Sequence, residues 1–165
     1  TGAVYYCMAF DAPPYYTLNG KEKISSTITK VEFKDVSKYI PLCIFHSSLF
    51  YWFWTVYSDC YHLTGNDLKR FPIDLADLQN REDEFEGLYH EITKSLNQHK
   101  KLVKYNKSFG VLEYDEYRHR YSKKVFDSVD RILADYYNLT ESELDFIVNY
   151  DYKYRVGERN ENGEL

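Results

Sequence analysis

Asp59, Cys60 and His62 are residue types that bind metal ions, and they lie within four positions of one another. They lack the spacing of a known zinc site, and a turn with a capping aspartate and a hydrogen-bonded histidine explains them better. The remaining histidines have no evident partners for a nucleophilic triad. The seven glycines are scattered rather than grouped in a phosphate-binding loop. The sequence therefore predicts no catalytic site and no metal site in this chain.

The segment Ala12-Pro13-Pro14-Tyr15 has the form of a known catalytic motif with one residue changed. In adenine-specific DNA methyltransferases, Asn, Asp or Ser precedes Pro-Pro and an aromatic residue. The polar side chain accepts a hydrogen bond from the target amine, while the aromatic ring stacks on the flipped base. Because Ala12 cannot accept that bond, we interpret the segment as an extended lead-in to a turn at Asn19-Gly20.

Arginines interleaved with tyrosines at positions 114–121 form the best basic-aromatic cluster of the chain. Arg118 and Arg120 are its candidate contacts to nucleic acid. The alternative is an exposed loop whose tyrosines fold back onto the core. Lys69 and Arg70 form a second candidate pair, since they can reach a phosphate or a guanine edge.

Lys153 and Arg155 alternate with tyrosines near the end of the chain. A phosphate contact and a structural ion pair explain them equally well. Ser58 and His62 belong to a segment that resembles a known family, described below, and that resemblance implies a role in positioning rather than in packing. The complete set of candidate nucleic-acid-binding residues is Ser58, His62, Lys69, Arg70, Arg118, Arg120, Lys153 and Arg155.

The segment from Tyr39 to Tyr57 contains no Asp, Glu, Lys or Arg, and it has about the length of a membrane-spanning helix. At about 100° per residue, however, its hydroxyl-bearing side chains collect on one side and its apolar ones on the other. We therefore predict one buried, amphipathic helix near residues 37–57 and no membrane span. The hydroxyl side is expected to face water or a partner, or to form an interface within the chain. Its candidate phosphate or interdomain contacts are Ser47, Ser48, Tyr51 and Thr55.

Composition limits the function classes. The chain has 165 residues, 18 tyrosines and a formal charge of −5. An acidic total argues against a free-standing, sequence-independent nucleic-acid binder, because phosphate neutralisation supplies the affinity of that class. Three cysteines without metal-type spacing indicate reduced thiols in an intracellular protein.

The first third of the chain predicts a small sheet. Val4 to Phe10 is apolar at nearly every position, like a strand covered on both faces. Asn19-Gly20 between apolar flanks predicts a hairpin, and the alternation from Ser26 to Lys34 predicts a half-buried strand. A further short extended segment is expected at Leu68 to Ile73, next to Pro72.

The second half predicts helices. A long helix is expected from about Arg81 to Lys104, with acidic residues at its start and lysines at its end, as the helix dipole favours. Two helices follow, one over about 125–136 and one after the capping box of Thr140 and Glu143. The predicted fold class is α+β, with a small N-terminal mixed or antiparallel sheet and a buried helix, then a helical C-terminal part that includes a long spacer-like helix. The expected division is 1–76, 77–156 and a flexible tail at 157–165.

Two segments resemble one family. They are "HSSLFYWFWTVYSDCYHLTGNDLKRFPI", from His46 to Ile73, and "ELDFIVNYDYKYRVG", from Glu143 to Gly157. Both are similar to the C-terminal target recognition region of large single-chain adenine-specific DNA methyltransferases from restriction-modification systems, of type IIG or IIS-like organisation. Together they cover about 43 of the 165 positions.

The resemblance implies a prokaryotic, cytoplasmic target recognition domain, cut from a longer chain that begins before Thr1. Its partners would be double-stranded DNA and an N-terminal methyltransferase domain, and S-adenosylmethionine would bind in that domain rather than here. The domain itself is expected not to be an enzyme. Because the catalytic half would supply most phosphate contacts, an acidic recognition domain remains compatible with DNA binding. The alternative is a protein-interaction or structural module that docks a catalytic domain or subunit without reading DNA.

Overall fold

The structure is a computed structural model that describes residues 9–12, 14–26, 28, 30–60 and 63–151. These residues form a helical core and a four-stranded antiparallel sheet, which confirms the predicted α+β class. The strands are β1 Tyr15–Leu18, β2 Lys21–Ile24, β3 Lys101–Lys107 and β4 Gly110–Glu116. The α-helices are α1 Tyr39–Ile44, α2 Ser48–Tyr57, α3 Gly65–Arg70, α4 Glu82–His99, α5 Lys123–Tyr137 and α6 Glu141–Asn149. Two 3-10 helices cover Leu75–Arg81 and His119–Ser122.

The sheet consists of two hairpins joined edge to edge, in the order β2-β1-β4-β3. Asn19 and Gly20 have φ values of 53° and 74°, which is the signature of a type I′ turn, so the predicted hairpin is confirmed. Asn19 also locks the two hairpins together. Its backbone N–H donates to the Val111 carbonyl (2.9 Å), and its side-chain oxygen accepts from the Val111 N–H (2.8 Å). Gly110 is required beside it, because a Cβ there would overlap Asn19 Oδ1.

Half of the sheet comes from a part of the chain for which we predicted helix. The long helix begins as expected but ends at His99 rather than at Lys104, and Lys100 already has an extended backbone. Lys101–Lys107 then pairs with β4, because its alternating residues fit a sheet surface better than a further helical turn. The predicted strand at Val4 to Phe10 lies largely outside the described residues, and its last two residues are not in a strand.

The predicted strand at Ser26 to Lys34 is wrong for the residues that the structure describes. Phe33 packs against Phe45 instead, with ring centroids 6.2 Å apart. Lys30 and Glu32 form an exposed ion pair with each other. In this segment, the packing of Phe33 against a helix end thus replaces the predicted strand pairing.

The predicted single helix near 37–57 is two helices. The helix is interrupted at Ser47, which has an extended backbone. The side-chain oxygen of Ser47 caps α2 by accepting the Phe50 N–H at 3.0 Å. The extended segment predicted at Leu68 to Ile73 is also wrong for its first three residues, which belong to α3. A capping box of Thr64 and Asp67 starts that helix, and this signal outweighs the nearby Pro72.

The two last helices are confirmed: α5 covers the predicted segment, and α6 starts at the predicted capping box of Thr140 and Glu143. Residues from all helices except α3 share one buried cluster. Its most buried members include Ile40, Ile44, Phe50, Phe85, Ile92, Phe126, Val129 and Leu133. Within the described residues, no strand residue belongs to this core. The division near residue 76 stays a prediction, since the core and the sheet draw on both sides of it.

In the described part of the chain, every helix is too short or too polar to cross a membrane.

Candidate nucleic-acid interface

The hydroxyl side of α2 faces the protein interior. Ser47 and Ser48 are fully buried, and Tyr51 is buried as well. Asp130 of α5 accepts the backbone N–H groups of Ser48 (3.0 Å) and Leu49 (2.9 Å). Exposure to water or a partner is therefore wrong for Ser47, Ser48 and Tyr51, and the other expected outcome, an interface within the chain, is found there. The cause is a carboxylate 82 positions away in sequence, which caps the start of α2.

Thr55 and Ser58 serve local structure at the other end of α2. The Thr55 hydroxyl donates to the Trp52 carbonyl at 2.8 Å. The backbone N–H of Ser58 donates to the Trp54 carbonyl, and its hydroxyl accepts the Cys60 N–H at 3.0 Å. His62, Lys153 and Arg155 lie outside the described residues.

Lys69 and Arg70 are exposed at the end of α3. Within the described part of the chain, the one hydrogen bond of Arg70 is long, 3.5 Å from Nη1 to the Tyr57 carbonyl oxygen. Both side chains are thus accessible to a ligand. Among the described residues, no hydrogen bond, ion pair or ring contact joins them to Arg118 or Arg120.

In the cluster at 114–121, some residues fit a nucleic-acid contact and others fit the alternative of tyrosines folded back onto the core. Tyr117 is partly buried against the core. Tyr121 is partly exposed, stacks on His99 (centroids 4.7 Å apart) and carries the Arg120 guanidinium 4.9 Å above its ring. Arg118 Nε lies 3.7 Å from Glu116 Oε1, at the end of β4.

The strand register gathers a second group of aromatic and basic residues that the sequence did not indicate. Residues that pair across strands share one face of a sheet. Tyr16 lies opposite Tyr114, which lies opposite Val103, and Tyr105 lies opposite Leu112. We call this side of the sheet the tyrosine–lysine face. Its members are Tyr16, Leu18, Lys21, Lys23, Lys101, Val103, Tyr105, Lys107, Gly110, Leu112, Tyr114 and Glu116.

The lysines of the two faces differ in their partners. On the opposite face, Lys104 pairs with Glu113, and Lys100 Nζ lies 2.6 Å from Asp115 Oδ2. The lysines of the tyrosine–lysine face make no ion pair with any described residue. They are Lys21, Lys23, Lys101 and Lys107. The acidic chain therefore presents one locally cationic surface.

Two tyrosines of this face lie close together, and one of them is well exposed. The rings of Tyr105 and Tyr114 lie 6.1 Å apart at 30°, and Tyr105 is 47% exposed. Lys107 Nζ lies 5.2 Å from the Tyr105 ring centroid. Partial burial, together with the neighbouring Tyr105 hydroxyl, raises the pKa of Tyr114, so this phenol is neutral at physiological pH. The face combines aromatic rings with ammonium groups that make no ion pair with any described residue.

One sequence signal could have found this face. The stretch from Lys101 to Lys107 places two lysines, a valine and a tyrosine at alternate positions, which is the period of a strand. Helical spacing through Val103 hid that pattern. Strand β1 carries no comparable signal in the sequence, because it pairs with β4, whose residues lie about 100 positions later in the chain.

Metal binding, and nucleophilic chemistry at Cys43, have no support among the described residues. No group of three potential ligands lies close enough together to hold a metal ion there. Cys43 is buried, and burial raises the pKa of its thiol to about 12, which makes it a poor nucleophile. Cys43 Sγ lies 3.3 Å from the Phe85 carbonyl oxygen, to which it donates.

Comparison with protein-family models, curated protein sequences and solved structures yields no significant match to this chain. Membership of the restriction-modification methyltransferases therefore stays a prediction from the two sequence segments.

Proposed function

We propose that this chain is a DNA target recognition domain, working with an adenine-specific methyltransferase domain of the restriction-modification type. The observation that carries the proposal is the tyrosine–lysine face, whose lysines have no carboxylate partners among the described residues. Cations of this kind gain from phosphate contact without losing an existing ion pair. The two family-like segments support the choice of enzyme class.

The proposal divides the work between two kinds of residue. Lysines of the tyrosine–lysine face bind phosphates and hold the register of the domain on DNA. These phosphate contacts carry no sequence information. Arg118, Arg120, Lys69 and Arg70 are the candidates for reading base edges, each good bidentate contact contributing about 1–3 kcal/mol. S-adenosylmethionine would bind in the methyltransferase domain, and the complex would act in the cytoplasm.

A binding titration tests the phosphate contacts. Fluorescence anisotropy with a labelled duplex, over about 50–200 mM salt, should show log affinity falling with log salt. The variant Lys21→Gln/Lys23→Gln should lower that slope by roughly 1.8, since each lost phosphate contact removes about 0.9. The control Lys100→Gln/Lys104→Gln removes the same charge from the opposite face. Its slope should stay steeper than that of the Lys21→Gln/Lys23→Gln variant. Equal slopes for the two variants would count against the proposed interface.

A second experiment tests the enzyme class. The full reading frame that contains this sequence is expressed in a host without DNA methylation, and modified adenines are mapped across the genome. Methylation confined to one short motif is the expected result. Exchange of Lys69–Arg70 or Arg118–Arg120 should then change or relax that motif. A folded protein that modifies no adenine would refute the methyltransferase assignment.

The competing function, a docking module, also has a specific observation in its favour. Val56, Tyr57 and Phe146 are apolar side chains that are each about half exposed on α2 and α6. Such a surface suits a protein partner. A charge substitution at Phe146 that releases the catalytic domain, combined with an unchanged methylation motif after both basic-pair exchanges, would favour docking over recognition.

A further inference from the structure

We infer that the tyrosine–lysine face binds unpaired bases of single-stranded DNA, and that it binds them more tightly than duplex DNA. This inference rests on the proposed function for its choice of DNA as ligand, and it adds the form of DNA that the face takes. It follows from three features of the face: the shared side of its tyrosines, the exposure of Tyr105 and the position of its lysines.

The three tyrosines lie on the same face of three adjacent strands, and we call them the platform. Tyr16 on β1 lies directly opposite Tyr114 on β4, and Tyr105 on β3 lies diagonal to Tyr114 with ring centroids 6.1 Å apart. Neighbouring strands are about 4.8 Å apart, so the platform crosses three strands of the sheet. Leu18 and Leu112 flank it with apolar surface. Every base has a π-face, and stacking on aromatic side chains is therefore tolerant of sequence.

Duplex DNA cannot use this platform fully. In a duplex the faces of the bases are covered by their neighbours, and only their edges reach the grooves. A tyrosine ring on an open sheet can stack only on a base that has left the helical stack. Within the described residues no strand residue belongs to the buried core, and the Tyr105 ring is 47% exposed beside the partly exposed Tyr114.

The lysines lie on both edges of this platform. Lys21 and Lys23 are on the outer strand β2, and Lys101 and Lys107 are on the outer strand β3 at the other side. A strand of DNA whose bases stack on the central tyrosines would thus meet ammonium groups on either side. Glu116 is the one carboxylate on this face in the described sheet, and it lies at the end of β4 next to Arg118.

The opposite face of the sheet cannot serve as the site. Glu22, Glu113 and Asp115 point to that side in the strand register. Its lysines are already paired, because Lys104 contacts Glu113 and Lys100 contacts Asp115. A phosphate there would meet carboxylates and would have to break existing ion pairs.

The test compares three labelled probes of about 12 nucleotides, within the range of known single-strand sites. They are oligo-dT, an abasic strand with the same phosphates, and a duplex. Oligo-dT should bind at least about fivefold more tightly than the other two, since stacking adds to the phosphate contacts. Tyr105→Leu should weaken oligo-dT binding by about fivefold or more and leave the abasic strand and the duplex nearly unchanged. Tyr105→Phe keeps the ring and should bind like wild type.

The controls separate stacking from folding. Tyr105 is partly exposed, so its replacement should leave the circular dichroism spectrum and the melting temperature close to wild type, and Tyr105→Phe repeats the loss of the hydroxyl without the loss of the ring. Equal binding of oligo-dT and the abasic strand would overturn the inference, as would full retention of oligo-dT affinity by Tyr105→Leu. Duplex binding that still depends on Lys21 and Lys23 would then leave the proposed function standing. A chain that binds none of the probes also overturns the inference, and the methylation map decides the proposed function separately.

Discussion

Replacement of Asp130 by alanine should destabilise the protein more than any other single carboxylate change on α5. Asp130 is 1% exposed, and its two oxygens accept the backbone N–H groups of Ser48 (3.0 Å) and Leu49 (2.9 Å). These are the first two residues of α2, whose N–H groups have no partner inside the helix. Alanine at position 130 would leave both donors buried without this acceptor.

The expected cost follows from these contacts. A hydrogen bond to a charged group contributes about 1.5–3 kcal/mol, so the loss of two gives roughly 3–6 kcal/mol. A negative charge at a helix N-terminus adds about 0.3–1 kcal/mol, or more when partly buried. We expect a total near 4 kcal/mol, a large part of the 5–15 kcal/mol that typical domains possess. Asp130→Asn keeps one acceptor and should lose about half as much.

Urea unfolding followed by far-UV circular dichroism measures the change in unfolding free energy. Asp135→Ala is the matched control, because it lies on the same helix with its side chain 78% exposed and its nearest cation, Arg81 Nη1, 3.9 Å away. The control should change stability by less than about 0.5 kcal/mol. If Asp130→Ala stays within about 1 kcal/mol of wild type, or matches the control, the cap does not hold α2 as we argue.

Three further substitutions have defined outcomes. Burial lowers the pKa of His46 to about 4. Between about pH 6.5 and 4, the unfolded chain therefore binds a proton at this histidine that the folded chain does not bind. Stability should therefore be complete above pH 6.5 and fall by about 3 kcal/mol toward pH 4, and His46→Gln should remove that part of the pH dependence in urea titrations. Gly110→Ala should lower the melting temperature, with a loss of about 1–3 kcal/mol, because its φ is 139° and its Cβ would overlap Asn19; adding Asn19→Gly should recover part of the loss. Ser47→Ala should cost about 1–2 kcal/mol in urea unfolding, since it removes the cap on the Phe50 N–H.

Local chemistry explains which elements the sequence could predict. The turn at Asn19-Gly20 and the capping box of Thr140 and Glu143 each satisfy their backbone groups within a few residues. Their signals are therefore complete in the sequence. The contact of Asp130 with α2 is not of this kind, because nothing in the sequence distinguishes that aspartate from others on the same helix. Its effect reaches back 82 positions and turns the hydroxyl side of α2 inward.

The candidate site shows the same limit. Lys69, Arg70, Arg118 and Arg120 could be chosen from composition alone, and each is found at an accessible or partly accessible position. The tyrosine–lysine face could not be chosen, because it exists only once β1 pairs with β4. Apolar residues at helical spacing also led us to predict that α4 continues through the first half of β3, and this hid the alternation that is typical of a strand.

The net charge of −5 argues against a free-standing, sequence-independent nucleic-acid binder, but it does not say how charge is distributed over the surface. An antiparallel sheet can separate charges, since alternate residues point to opposite sides. Here the carboxylates Glu113 and Asp115 fall on one side, with their lysine partners, and the unpaired lysines fall on the other. A register shift of one residue between β1 and β4 would carry Tyr16 to the side of Glu113 and Asp115, away from Tyr114. The contact of Asn19 with Val111 sets the register of β1 on β4, so a turn residue determines which β1 side chains lie beside Tyr114 on the face that we propose binds DNA.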